Sequence, residues 1–250
     1  MWKLTLCSFV IFNFVHGRTD HSSINFGSFV CPKEKEALGR CLKDALNAYI
    51  PKLATGVPEL DIPPFEPLVV PTVKIQQSTG PIRLSSSYSD VTVKGPSKMR
   101  ITDIEVDTAN HEVVAKIHMP EMKMTGRYNL SGRVLMLPIE GEGDFFGKYG
   151  DIDAVVTVVL GRQKHPNSPD TLKCEQLKVH FEIGQASVKM NNLFGGDKEL
   201  GKAMNKFLNE NWRQIAEELQ KPMEEALHHL LKPMADRTLS TLHADDILLT

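Results

Sequence analysis

A helix that begins after Asp197 and buries one broad face constrains this chain more than any other feature. Gly195 and Gly196 end a strand-like pattern, and the Asp197 carboxylate stands where an N-cap accepts the first free backbone N–H groups. We expect a helix over residues 198–221, about 36 Å long at ~1.5 Å per residue, until Pro222 kinks or restarts it. Apolar residues at intervals of three and four would share one face of it: Leu200, Met204, Phe207, Leu208, Trp212, Ile215 and Leu219.

The middle of the chain instead alternates apolar and polar residues, which is typical of strands with one buried side. Gly126, Gly132 and Gly184 lie inside or beside these strands and indicate bulges and strong curvature. The periodicity alone predicts an antiparallel α+β domain. A long, curved sheet with one apolar side must close on something, and the C-terminal helix is the candidate. The apolar rows are Val113, Ala115, Ile117 and Met119; Met122, Met124, Tyr128 and Leu130; Ile152, Ala154, Val156, Val158 and Leu160; and Leu177, Val179, Phe181 and Ile183.

The N-terminus has the pattern of a secretory signal. Lys3 is followed by an almost entirely apolar run, and Val15 and Gly17 are small enough for the −3 and −1 sites of a signal peptidase. The run is well short of the ~20 residues that a membrane-spanning helix needs. We therefore expect residues 1–17 to be removed and residues 18–250 to form a single secreted domain without stable membrane insertion.

The charge pattern argues against a nucleic-acid partner. The formal net charge is −2, and basic and acidic residues alternate along the chain instead of forming the basic stripe that phosphate contacts require.

Motifs that would indicate an enzyme are missing from the sequence. There is no Gly-x-Ser-x-Gly elbow, which argues against an α/β-hydrolase. His111 and Glu112 lack the second histidine of a zinc-protease helix, and the adjacent His228 and His229 point to different parts of a helix surface. The glycine-rich segment 141–148 has the spacing of neither a dinucleotide fingerprint nor a Walker loop. We predict a protein that is not an enzyme and has no cofactor or metal site.

Cysteine usage agrees with the secretory route. Cys7 would leave with the signal, so the mature chain keeps Cys31, Cys41 and Cys174, and three cysteines cannot all pair within one molecule. A continuous helix from residue 31 to 41 would separate the two Cα atoms by about 15 Å, whereas a disulfide needs them within roughly 7 Å. A pairing of these two would require the helix to begin late, near Glu36.

The segment 192–201, followed by Asn209-Glu210-Asn211-Trp212, resembles the C-terminal signature of the secreted juvenile hormone-binding and takeout family of arthropods. The resemblance covers nearly the whole mature chain and includes the order of its parts: signal, cysteine pair, helix, β-rich middle with a turn at 137–143, and long helix. It implies the super-roll of the tubular lipid-binding superfamily, in which the sheet wraps the helix. It also assigns the family's N-terminal disulfide to Cys31 and Cys41 and leaves Cys174 as a free, buried thiol.

The same resemblance implies a carrier of one small, elongated hydrophobic ligand, because family members carry terpenoid or fatty-acyl-like molecules, including juvenile hormone in some. We expect this carrier to act as a monomer in haemolymph or another extracellular fluid, in hormone, feeding or circadian signalling. Abundant methionine favours walls that adapt to such a guest. Residues on the apolar side of their strand or helix are expected to line a tunnel: Met119, Met124, Tyr128, Phe181, Met190, Phe207 and Ile215.

Two polar residues have specific expected roles. The Tyr128 hydroxyl could donate one directed hydrogen bond to a ligand oxygen in an otherwise apolar wall. Asn129 opens an N-glycosylation sequon with Leu130 and Ser131, usable if it lies outside the sheet.

Two other function classes stay open. A membrane-docking lipid-transfer or microbial-lipid-binding protein would need a basic or amphipathic tip, which this near-neutral sequence does not reveal. A secreted interaction protein would have a filled core.

Overall fold

The computed structural model describes residues 23–26, 29–32, 34–58, 62–166 and 168–248. The predicted signal peptide, residues 1–17, lies outside the described residues. The elements are, in order, β1 (Ser23–Phe26), β2 (Phe29–Pro32), α1 (Lys35–Leu53), β3 (Leu68–Val70), β4 (Val73–Gln77), β5 (Ile82–Lys94), β6 (Arg100–Asp107), β7 (Glu112–Val134), β8 (Leu137–Gln163), β9 (Thr171–Met190), α2 (Lys198–Glu210), α3 (Trp212–Leu239) and α4 (Ala244–Ile247).

Strands β3 to β9 form one antiparallel sheet, as the alternating pattern predicts. Its main order is β3-β5-β7-β8-β9, while β4 pairs with β5 and β6 pairs with β7. Strands β7 and β8 are 23 and 27 residues long. The first part of β7 pairs with β6 and the rest pairs with β5, so the long strands join two halves of the sheet.

The three longest strands bend together along one line across the sheet. Successive inner-face rows on the two sides of the bend lie three residues apart on every strand, instead of the usual two. At the bend, Asp151 has a left-handed φ of 49°, and a Cβ on the adjacent Gly184 would lie 2.7 Å from the Asp151 Cβ. The apolar side therefore faces inward in both halves. These rows are Met119, Ile152 and Ile183, then Met122, Tyr149 and Ala186.

The C-terminal helix closes the sheet, which confirms the predicted α+β fold with a sheet wrapped around a helix. Helix α3 packs on both β9 and β4, which lie at opposite edges, so the sheet curls around it. The predicted N-cap is also confirmed, because Asp197 Oδ1 accepts hydrogen bonds from the backbone N–H groups of Glu199 and Leu200, both at 3.0 Å.

The prediction of one helix over 198–221 that is interrupted at Pro222 is wrong. The chain breaks at Asn211, where φ is −109° and ψ is 17°, and α3 then continues through Pro222 and Pro233 to Leu239. Packing and hydrogen bonds to β9 on both sides of Pro222 outweigh its low helix propensity. Leu200, placed on the buried face by its spacing, is 53% exposed because it lies more than a turn before Asn205, which contacts the last residue of β9.

The outer edge of β9 is bonded by helix side chains in place of a further strand. Asn205 accepts from the N–H of Met190 and donates to its carbonyl, both at 2.8 Å. Asn209 makes the same pair of bonds with Val188, at 2.9 and 2.7 Å. An edge strand left open is prone to pair with another chain, so these bonds both attach the helices and protect the edge. On α3 the equivalent contacts are Gln220 to the Phe181 carbonyl at 3.1 Å, His228 to the Leu177 carbonyl at 2.8 Å and Asp236 to the Cys174 N–H at 2.9 Å.

Helix α1 covers β6 and is tied to β2 by a disulfide. Cys31 and Cys41 are bonded with their Cα atoms 5.6 Å apart, as the resemblance implies. Helix α1 begins at Lys35, with Glu34 as its N-cap, which is the late start that this short span requires. Cys174 is free and buried.

Candidate ligand-binding site

The buried apolar side chains of the described residues form four separate clusters. The largest lies between the second half of the sheet and helices α2 and α3. A second lies beneath α1, a third surrounds α4, and a fourth joins α3 to the first part of β9. Parts of the sheet's inner face are not filled by any cluster.

Six half-buried inner-face residues from β7, β8 and β9 pack against none of the four clusters, and we call them the inner strip. They share the inner face because directly paired residues in an antiparallel sheet point to the same side. Ala154 and Ala186 have small side chains, so the surface is recessed at these two positions relative to its larger apolar neighbours. Measured along β9 from residue 181 to 186, the strip is about 17 Å long at ~3.3 Å per residue. It is formed by Met119, Tyr149, Ala154, Phe181, Ile183 and Ala186.

Helix α3 borders the inner strip. Gln220 donates to the carbonyl of Phe181 at 3.1 Å and Asn209 accepts from the N–H of Val188 at 2.9 Å, so the helical turns between these two residues run beside the strip. Ile215 and Ala216 on these turns are half-buried. The arrangement provides an elongated, partly accessible apolar surface, suited to a ligand that is itself long and apolar.

The predicted lining residues fall into two groups. Met119 and Phe181 belong to the inner strip, on adjacent rows of the sheet. The other five lie within the largest cluster, namely Tyr128 and Met190 at 3% and 7% exposure, or pack against it, namely Met124, Phe207 and Ile215.

Residues that sequence reasoning did not assign to the lining include Tyr149 and Ala186. Counting back in twos from Ile152 leads to Gly150, whereas the bend places Tyr149 on the inner face. The sequence does contain one indication of the bend. The inner-face residues Met119 and Met122 on β7 are three positions apart instead of two, and their paired residues on β8 and β9 have the same spacing.

Three tyrosines lie near one another at one end of the inner strip. Tyr88 and Tyr128 are directly paired across β5 and β7, and the ring of Tyr88 meets that of Phe145 edge to face with centroids 5.3 Å apart. Desolvation raises the pKa of Tyr88. It also raises the pKa of Tyr128 and of Tyr149 to about 12, with a further contribution from Tyr88. All three phenols are therefore neutral at physiological pH and able to donate hydrogen bonds.

The Tyr128 hydroxyl, which we expected to contact the ligand, already donates to the backbone carbonyl of Asn191 at 2.6 Å. This bond joins β7 to the turn after β9. It directs the hydroxyl to the protein backbone instead of the inner strip.

The outer face of the sheet is mostly polar, and Phe146 and Val155 are exposed apolar exceptions. Asn129 is exposed there, and its Nδ2 donates to Glu142 at 3.2 Å, so the sequon lies outside the sheet. In the described part of the chain, no cluster of three or more His, Cys, Asp or Glu side chains is arranged to hold a metal ion. None of the described helices is long and apolar enough to span a membrane.

Residues 10–249 match the family model for haemolymph juvenile hormone binding protein. The circadian clock-controlled protein daywake of Drosophila melanogaster is 23% identical over 193 residues, which is 74% of either chain. The juvenile hormone-binding protein of Manduca sexta is 23% identical over 153 residues, 61% of either chain.

A solved structure agrees with the fold. The crystal structure of Epiphyas postvittana Takeout 1 superposes with a TM-score of 0.73 and 25% identity, covering 84% of this chain and 95% of the other. The family model spans nearly the whole sequence, and the fold is that of Takeout 1. The chain therefore belongs to the haemolymph juvenile hormone binding protein family, which consists of binding proteins rather than enzymes.

Proposed function

We propose that the mature protein, residues 18–250, is a secreted carrier that holds one small, elongated hydrophobic ligand along the inner strip. The observation that carries this proposal is the half-buried, partly accessible apolar surface of the inner strip, between separate core clusters. A ligand that removes about 350 Å² of apolar surface from water gains about 9 kcal/mol at ~25 cal/mol/Å², before the cost of association. Micromolar to nanomolar affinity is then attainable without a charged anchor.

The ligand class that we propose is a terpenoid or a fatty-acyl compound. The inner strip is long and bears no charged side chain, and one relative is named for binding juvenile hormone. The disulfide between Cys31 and Cys41 supports an extracellular location, because disulfides persist in oxidising compartments. We further propose that the protein acts as a monomer in hormone, feeding or circadian signalling, the last supported by the name of the Drosophila relative.

Two neighbouring substitutions test the inner strip. Ala154→Phe places a phenyl ring in the strip, whereas Val155→Phe places the same ring on the outer face, where Val155 is 36% exposed. We expect Ala154→Phe to weaken ligand binding at least about tenfold, and Val155→Phe to leave it unchanged. The measurement is displacement of a fluorescent fatty-acid probe from gently delipidated protein by a panel of terpenoids and fatty acids.

Equal binding by Ala154→Phe and wild type would show that the ligand lies elsewhere. If the delipidated wild type takes up neither the probe nor any compound of the panel, the carrier proposal is wrong. A secreted interaction protein with a filled core would then be the better account.

Membrane-docking lipid transfer is a second candidate, and the hairpin between β7 and β8 favours it. At its tip Met136 is 80% exposed and Leu137 is 39% exposed. Beside them the exposed Arg83 and Arg133 are directly paired across β5 and β7. Apolar side chains next to cations suit shallow contact with an anionic lipid surface. The sequence analysis did not find this amphipathic tip because its members come from different strands.

Vesicle sedimentation tests this candidate. If the hairpin docks, wild type should sediment with phosphatidylcholine vesicles that contain phosphatidylserine. The double variant Met136→Ser, Leu137→Ser should lose most of that binding. Val69→Ser is the control, since Val69 is 71% exposed on β3. Absence of sedimentation by wild type rules out docking to such membranes.

A further inference from the structure

Tyr149 holds a position on the inner face that only its neighbouring glycine allows. Its cross-strand neighbours are Met122 on β7 and Ala186 on β9. The ring folds back along β8 over Gly147, so that a Cβ at position 147 would lie 2.8 Å from both Cε2 and the hydroxyl oxygen of Tyr149. The hydroxyl therefore lies close above the inner surface of the sheet.

The Tyr149 hydroxyl has no hydrogen-bond partner among the residues that the structure describes. It differs in this from Tyr128, whose hydroxyl is bonded to the Asn191 carbonyl at 2.6 Å. Among the described residues, every fully buried side-chain oxygen or nitrogen has a hydrogen-bond partner. The hydroxyl is thus accessible, and it lies over Gly147, at the end of the inner strip that Tyr149 and Ala186 form.

The surroundings of this hydroxyl define the group it could bind. Its cross-strand neighbours are apolar, and the nearby phenol of Tyr88 also raises its pKa. Desolvation raises the pKa of Tyr149 to about 12, so it stays a neutral donor. A hydroxyl among apolar atoms is unfavourable unless it finds an acceptor, and a neutral donor suits a neutral oxygen.

We propose that Tyr149 donates one directed hydrogen bond to a neutral acceptor oxygen at one end of the ligand, such as an ester or ketone carbonyl. The apolar remainder of the ligand then extends past Ile183 towards Phe181 and Ala154. This inference rests on the proposed carrier function and deepens it. It assigns the oxygenated end of the ligand to the Tyr149 row of the sheet, and it makes an oxygenated terpenoid or acyl ester the preferred class over a hydrocarbon of equal length.

Two ligands of similar shape distinguish a hydrogen bond from the Tyr149 hydroxyl from mere packing against the Tyr149 ring. Methyl farnesoate carries an ester, whereas farnesene is a hydrocarbon of similar length and shape. Both would be used to displace the fluorescent probe N-phenyl-1-naphthylamine from wild type and from Tyr149→Phe. We expect the variant to bind methyl farnesoate about fivefold more weakly and to bind farnesene within twofold of wild type. Tyr128→Phe is the matched control and should bind each of the two ligands within twofold of wild type, because Tyr149 is still present.

Infrared spectroscopy gives a direct second readout. The ester carbonyl band of bound methyl farnesoate should lie at lower wavenumber in wild type than in Tyr149→Phe, because a hydrogen bond weakens the C=O stretch. Equal losses for both ligands, or an unchanged carbonyl band, would assign Tyr149 to packing and overturn the inference while the carrier function stands. Failure of wild type to bind either ligand would overturn both.

Discussion

Replacing Asn205 and Asn209 together by leucine is expected to lower the free energy of unfolding by about 4 kcal/mol, at roughly 1 kcal/mol for each of four lost bonds. The two amides bond to the N–H and carbonyl groups of Met190 and Val188 at 2.7–2.9 Å. Leucine has nearly the same size and a higher helix propensity, so the loss would come from backbone groups left without partners. For a protein of this size the melting temperature should fall by about 10 °C, measured by thermal and urea unfolding.

The matched control uses two exposed lysines of the same helix. Lys202 and Lys206 are exposed, and their double replacement by alanine should change the free energy of unfolding by no more than about 0.5 kcal/mol. A leucine double variant as stable as this control would mean that water replaces the amides without cost, and that the edge of β9 does not depend on α2.

Replacing Cys31 and Cys41 by alanine is expected to cost about 2.5–3 kcal/mol, because the disulfide closes a loop of ten residues in the unfolded chain. Cys31 is fully buried beneath α1, in the cluster that joins this helix to β6. The loss should therefore appear as early unfolding of α1. Urea unfolding followed by circular dichroism measures the free energy, and hydrogen exchange of α1 amides locates it.

The free thiol supplies the control. Cys174 is buried without a disulfide, so Cys174→Ala should cost about 1 kcal/mol or less. Reductant should destabilise wild type and leave the Cys31→Ala, Cys41→Ala variant unaffected. Thiol labelling of the denatured, unreduced mature protein should modify one cysteine. Two or more labelled cysteines would contradict the single disulfide.

Much of the fold could be predicted because its causes lie close together in the chain. Asp197 caps a helix through bonds to residues two and three positions away. The apolar rows of β7, β8 and β9 face inward because side chains alternate along any strand. The resemblance to a family added the sheet wrapped around the helix, which alternation by itself does not specify.

The candidate site was predicted only in part, and the bend across the sheet explains why. Met119 and Phe181 were assigned correctly to one apolar face by their alternation. Tyr149 was missed because the extra residue at Asp151 changes the parity of β8, and the left-handed φ of 49° there is visible only in the folded chain.

The amino-acid sequence by itself determined the class of fold, the start of the C-terminal helix and the apolar character of the inner face, since each depends on residues within a few positions of one another. Tertiary structure alone decided which tyrosine hydroxyl is already bonded within the protein, because the partner of Tyr128 is a carbonyl 63 residues away. It also decided that α3 continues through Pro222, since side chains of that helix bond to β9 about 40 residues earlier. Contacts over such distances depend on the curvature and register of the whole sheet, which no local pattern contains.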